Sequence, residues 1–236
     1  NVWAPHVIRH EGMYYMFYTS VNRHVCQTIS LATSRDLFEW EEYEGNPVFT
    51  AEFADFAVSS REAWTDCRDP MVFADEDGTF YLYATACHVD DGRGPRGMVI
   101  VAESRDLYHW ENPRVAIRHT HAMESPQVWK ENGTYFMTTS ALGGGCWTST
   151  HPTEGWTRGA WQRPPTHAVE KHVETSGPFS YAEEVVRLED GTLVIAGLTF
   201  RHYGNSIYIY KVVPGPDGSP MRYETPFALP GAPVSG

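Results

Sequence analysis

Asp69-Pro70-Met71-Val72-Phe73, followed through Gly78 by Thr79-Phe80-Tyr81-Leu82-Tyr83, decides the fold because the chain writes it more than once. Ala4-Pro5-His6-Val7-Ile8 leads through Gly12 to Met13-Tyr14-Tyr15-Met16-Phe17-Tyr18. Ser125-Pro126-Gln127-Val128-Trp129 leads through Gly133 to Thr134-Tyr135-Phe136-Met137. A worn copy, Ala182-Glu183-Glu184-Val185-Val186, leads through Gly191 to Thr192-Leu193-Val194-Ile195. Each copy is an apolar run, a turn, and a second run rich in aromatic and β-branched residues, which suit strands. Asp-Gly and Asn-Gly between apolar runs are strong hairpin signals. Repetition at roughly 50–70 residues points to a radial array, usually a β-propeller.

A second phrase closes the first two copies: Ser34-Arg35-Asp36-Leu37-Phe38-Glu39-Trp40 and Ser104-Arg105-Asp106-Leu107-Tyr108-His109-Trp110. A fainter version ends at Trp156. It reads as a third strand ending in a Ser/Asp-capped turn, with the tryptophan packed between blades. The expected architecture is all-β, a β-propeller of four-stranded antiparallel blades in one domain, 1–236. Four blades are recognisable, at about 1–50, 51–117, 118–165 and 166–226. A propeller brings its inner strands to one axis, so distant residues share one pocket. The connections Thr50–Cys67 and Trp161–Pro178 are long, and long loops in compact domains are often functional.

Composition supports this. At 236 residues the chain fits one all-β domain, and 42% hydrophobic residues with 14% aromatics supply a core. The formal charge of −12 repels phosphates and anionic lipid, so neither nucleic acid nor membrane is an expected partner. No apolar run is long enough to span a bilayer. The sequence opens directly on the strand-like Asn1–Tyr18, with no signal peptide to read; an upstream piece is one explanation. Cys26, Cys67, Cys87 and Cys146 lack zinc spacing. Two disulfides are formally available, but separated cysteines in a large β domain read as free buried thiols.

The inner-strand entrances carry the chemistry. One begins Arg68-Asp69-Pro70, another Glu124-Ser125-Pro126. Proline stiffens each strand start. An isolated Asp-Pro is often only a turn cap, but acids at matching entrances of neighbouring blades would face one cavity. Glycoside hydrolysis needs such a pair, one carboxyl protonated and one ionised, and clustered like charges separate their pKa values. Arg68 would hold a carboxylate or sugar hydroxyl through forked hydrogen bonds. Trp64 and Trp147 are candidate sugar platforms, and His119 and His121 lie just before Glu124.

These motifs resemble those of the five-bladed β-propeller glycoside hydrolases: family 43 and the related families 32 and 68. Trp3-Ala4-Pro5-His6-Val7 is similar to the family 43 Trp-Ala-Pro strand, Arg68-Asp69-Pro70 to the Arg-Asp-Pro motif, and Glu124-Ser125-Pro126 to the strand bearing the general acid. The resemblance covers nearly the whole chain. It implies hydrolysis of furanosides or xylosides built from arabinose, xylose or fructose. By the same resemblance Glu124 is the general acid, and Asp69 orients substrate and tunes its pKa. Trp3, His6, Trp64, Arg68, His121 and Glu183 are the expected substrate contacts, and an oligosaccharide or polysaccharide is the expected partner. No cofactor is expected. Some members hold a calcium or chloride near a histidine, which leaves a central calcium open, although no histidine pair here has helical metal spacing.

The chain departs from the family in one respect. The family's base or nucleophile is an Asp in a blade before the Trp-Ala-Pro blade, and these 236 residues begin at that blade. Four blades are therefore legible of an expected five, and His6 stands where the family motif often has an acid. Glu183 and Glu184 are the nearest substitutes. The rival expectation is a non-catalytic sugar-binding propeller or an inactive fragment lacking the base. A glycoside phosphorylase, using Arg61, Arg68, Arg201 and His202 for phosphate, is a third. The exposed edges of an incomplete ring would invite homo-oligomers.

Overall fold

In the computed structural model, residues 1–90, 92, 97–141, 144–159, 181–199, 206–213 and 222–226 are described. The Trp161–Pro178 connection, Arg201 and His202 lie outside them. The fold is all-β. Blade 1 comprises β1 (Val2–His10), β2 (Met13–Val21), β3 (Gln27–Ser34) and β4 (Glu41–Glu42). Blade 2 comprises β5 (Cys67–Ala74), β6 (Phe80–Cys87), β7 (Gly97–Ser104) and β8 (Glu111–His119). Blade 3 comprises β9 (Glu124–Glu131), β10 (Thr134–Ser140), β11 (Gly145–Ser149) and β12 (Thr157–Arg158). Blade 4 comprises β13 (Tyr181–Arg187), β14 (Leu193–Thr199), β15 (Ser206–Val213) and β16 (Arg222–Pro226). Each is an antiparallel meander in sequence order, as the hairpin spacing predicts.

Successive blades pack face to face. Phe17, Ile29 and Leu31 of blade 1 share a core with Leu82, Ile100, Leu107 and Trp110 of blade 2. Tyr83, Val99 and Val101 of blade 2 share one with Val128, Met137 and Trp147 of blade 3. Trp129 and Phe136 meet Leu193 and Ile195 of blade 4. The repeated phrase folds as read. Ser34 Oγ accepts from the Asp36 and Leu37 amides, and Asp36 Oδ1 accepts from those of Phe38 and Glu39. Ser104 and Asp106 reproduce the pattern. Trp110 packs edge-on against Phe17, and Trp156 against Tyr83. Trp40, in blade 1, bonds its ring N–H to its own turn at Leu37 O instead.

The side of blade 1 away from blade 2 is apolar and open. Leu37 is 47% exposed whereas its counterpart Leu107 is 0% exposed. Val2, Val7 and Phe38 are exposed with it. All four cysteines are free, as their spacing suggests.

One feature recurs in every inner strand. Two residues oppose one in each pairing with the second strand, between Trp3 and His6, Arg68 and Met71, Glu124 and Gln127, and Tyr181 and Glu184. The bulged residue has positive φ each time: Ala4 at 43°, Asp69 at 56°, Ser125 at 49° and Ala182 at 50°. This region is unusual for non-glycine residues, and bulges of this kind re-aim side chains near active sites.

Candidate active site

The bulges build the hub. Asp69 occupies the bulge position itself and Glu124 the position before it, so the two acids are not register equivalents: Asp69 aligns with Ser125, and Glu124 with Arg68. A bulge bends the strand and re-aims the side chains beside it. Two acids at different register positions can therefore reach one space.

Arg68 gathers them. Its Nη2 donates to Glu124 Oε1 at 2.8 Å, and its Nε lies 3.8 Å from Asp69 Oδ2. Its Nη1 binds Asp66 Oδ1 and lies 3.4 Å from Gln27 Oε1. Sharing one guanidinium brings the Asp69 and Glu124 carboxylates of neighbouring blades to one site. The side chains of Arg68, Asp69 and Glu124 are 13%, 13% and 21% exposed, buried yet open to solvent.

Asp69 is also structural. Its Oδ2 accepts the Ser125 amide of the next blade at 3.0 Å, while its own amide donates to Thr19 Oγ1 of the previous blade at 3.0 Å. Burial pushes its carboxyl above the usual range; the Ser125 amide and Arg68 oppose this, and Glu124 and Glu184 add to it. Asp66 behaves oppositely. Burial would raise it, but hydrogen bonds from Cys87 and Trp64, together with the Arg68 charge, hold it below the ordinary value. It accepts the Trp64 ring N–H at 2.9 Å and the Cys87 thiol at 3.0 Å. An exposed indole, 59% accessible, is thus tied through one carboxylate to Arg68.

The remaining candidates separate. His6, largely buried, bonds Val72 O through Nε2 at 3.2 Å and faces Glu184 across the hub at 3.8 Å. Glu183 is 5% exposed, buried in the slot that Pro5, Pro70 and Pro126 hold elsewhere, whereas the Glu184 side chain is 49% exposed. Of these two acids, Glu184 is the one that faces His6. Trp3 is exposed on β1. His121 is exposed beside His119, whose ring packs edge-on against Trp147. Trp147 is buried, donates to Thr139 Oγ1 and lies beneath Arg158, so it is core and not a platform. Asp66 was missed altogether: it is a loop acid without a motif, and its only signal is its place two residues before Arg68.

A cavity of about 590 Å³ lies beside the hub, lined by Gln27, Thr28, Ser60, Thr65 and others, without Asp69 or Glu124. Among the described residues no three His, Cys, Asp or Glu side chains converge as a metal-binding group.

A family model described as glycosyl hydrolases family 43 matches residues 1–195. No curated protein matches the sequence. A thermostable family-43 glycoside hydrolase superposes with a TM-score of 0.74 at 22% identity, covering 99% of this chain and 78% of that one. A xylan β-1,4-xylosidase from Bacillus halodurans superposes at 0.71 and 19% identity, over 100% of this chain and 48% of that one. A GH32 β-fructofuranosidase from Bombyx mori reaches 0.63 at 17% identity, over 95% of this chain and 50% of that one. At such identities these likenesses show the fold.

Proposed function

The chain belongs to glycosyl hydrolases family 43, and from that premise we propose that it cleaves furanosidic or xylosidic bonds in oligosaccharides or polysaccharides containing arabinose, xylose or fructose. The observation that carries this reading is the Arg68 fork, which brings Asp69 and Glu124 from neighbouring blades to one partly open site. The xylosidase and fructofuranosidase neighbours support the sugar classes.

Glu124 is the general acid. Arg68 engages its Oε1 and holds the carboxyl in place to give a proton. That proton passes to the glycosidic oxygen as the bond from the anomeric carbon breaks, and water completes the displacement by losing a proton to a base. Asp69 positions: it holds the Ser125 amide, next to Glu124 in the chain, and adds negative charge beside the acid. Trp64 offers an apolar face to a sugar ring, with Asp66 fixing its edge. Glu184, half exposed across the hub, is the carboxylate these residues bring nearest to the role of base.

Screening unactivated xylo-, arabino- and fructo-oligosaccharides tests this. Glu124→Gln should lower turnover by about 10²–10⁴-fold, the usual contribution of a positioned acid. Asp69→Asn should impair kcat/KM on unactivated and aryl glycosides alike. A wild-type chain that binds these sugars and cleaves none would favour the non-catalytic binding protein instead.

A further inference from the structure

The bulge amide of each blade after the first is received by a side chain of the blade before it. Asp69 N–H donates to Thr19 Oγ1, and Ala182 N–H to Ser140 Oγ, both at 3.0 Å. Thr19 and Ser140 are register equivalents, opposite Trp3 and Glu124. The third member of that set is Thr85, opposite Arg68 on β6. By the rule of the other two, Thr85 should receive the Ser125 amide. It does not: Asp69 takes that amide, and Thr85 Oγ1, buried, has no partner among the described residues. β6 packs beside β9 as β2 does beside β5 and β10 beside β13, so Thr85 keeps the place from which its equivalents act.

A buried hydroxyl without a partner is costly, whereas an isosteric apolar group in its place would be close to neutral. Its presence where a second acceptor has claimed its donor is the signature of two alternative arrangements. We propose that the Ser125 amide has two acceptors, and that Thr85 takes it over when Asp69 turns to the substrate. Asp69 then orients the sugar without leaving a buried amide unpaired, and the bulge that carries Glu124 holds its shape through the cycle. Thr85 is thus a positioning residue, acting through Ser125. The exchange rests on the functional reading above only in what draws Asp69 away.

Two readouts test it. In the first, hydrogen exchange of the Ser125 amide is followed by NMR in Asp69→Ala, Thr85→Val and the double variant. Protection should persist in each single variant and fall at least tenfold further in the double than the two single changes predict. Additive losses, or a Ser125 amide already unprotected in Asp69→Ala, would overturn the proposal. Asp69→Ser serves the same comparison if Asp69→Ala does not fold. In the second, Thr85→Val should lower kcat on an unactivated disaccharide about tenfold, with KM within about twofold, and Thr85→Ser should restore it. Unchanged kcat in Thr85→Val would overturn the turning of Asp69. A wild-type chain without activity would sink the functional reading, and the exchange measurement would still decide the shared amide.

Discussion

Asp69 serves two masters, a backbone amide and a reacting site, and its protonation reflects the conflict. Burial raises its carboxyl in the folded chain, with Glu124 and Glu184 adding to the effect. A carboxyl raised on folding binds its proton more tightly in the native state. Its favourable contribution is full below the unfolded value near 3.9 and is lost as pH rises through the folded value. Asp69→Asn removes this pH dependence while keeping an acceptor for Ser125. The variant should therefore gain stability over wild type at neutral pH and show little gain near pH 3, about where both states of the wild-type carboxyl are protonated. Urea unfolding at the two pH values measures this, and a gain confined to the acid side would contradict it. Residue identity alone announced Asp69, Glu124 and Arg68, because each sits in a short motif beside a proline. It could not announce Asp66, whose importance lies in three partners brought by folding.

The β-bulge is the element that sequence pattern hides. Pro5, Pro70 and Pro126 mark it, but a proline there reads simply as a strand start. One inserted residue slips the register, and a slip of one moves side chains to the opposite face. That is why Glu184 faces His6 while Glu183 lies buried. The hairpins were legible for the converse reason: glycine turns and aromatic second strands encode local geometry that needs no tertiary knowledge. The capped turn shows how context decides energetics. Leu37 and Leu107 have the same local structure, with φ of 69° and 70°, yet opposite burial. Leu107→Ala should cost about 3 kcal/mol, in the range of buried leucine truncations, and Leu37→Ala under about 1 kcal/mol. Chemical denaturation of the two variants checks this; equal losses would mean that blade 1 covers its outer face.

At the scale of the whole molecule, three inter-blade cores join four blades, and blade 1 turns outward the kind of face that blade 2 buries against it. Pro5 is exposed where Pro70 and Pro126 are buried, which marks the same asymmetry at the hub. Radial repetition explains how residues 56 positions apart along the chain, Arg68 and Glu124, come to share a hydrogen bond. The chemistry claimed for that meeting is proton donation by Glu124. It is tested most directly by the dependence of kcat/KM on leaving-group acidity, for a series of aryl xylosides or arabinofuranosides cleaved by the wild type and by Glu124→Gln. A shallow dependence is expected for the wild type and a steep one for the variant. The deficit should reach about 10²–10⁴-fold for poor leaving groups and nearly vanish for the most acidic. Parallel lines, with the same loss at every leaving group, would contradict the assignment of Glu124 as the acid.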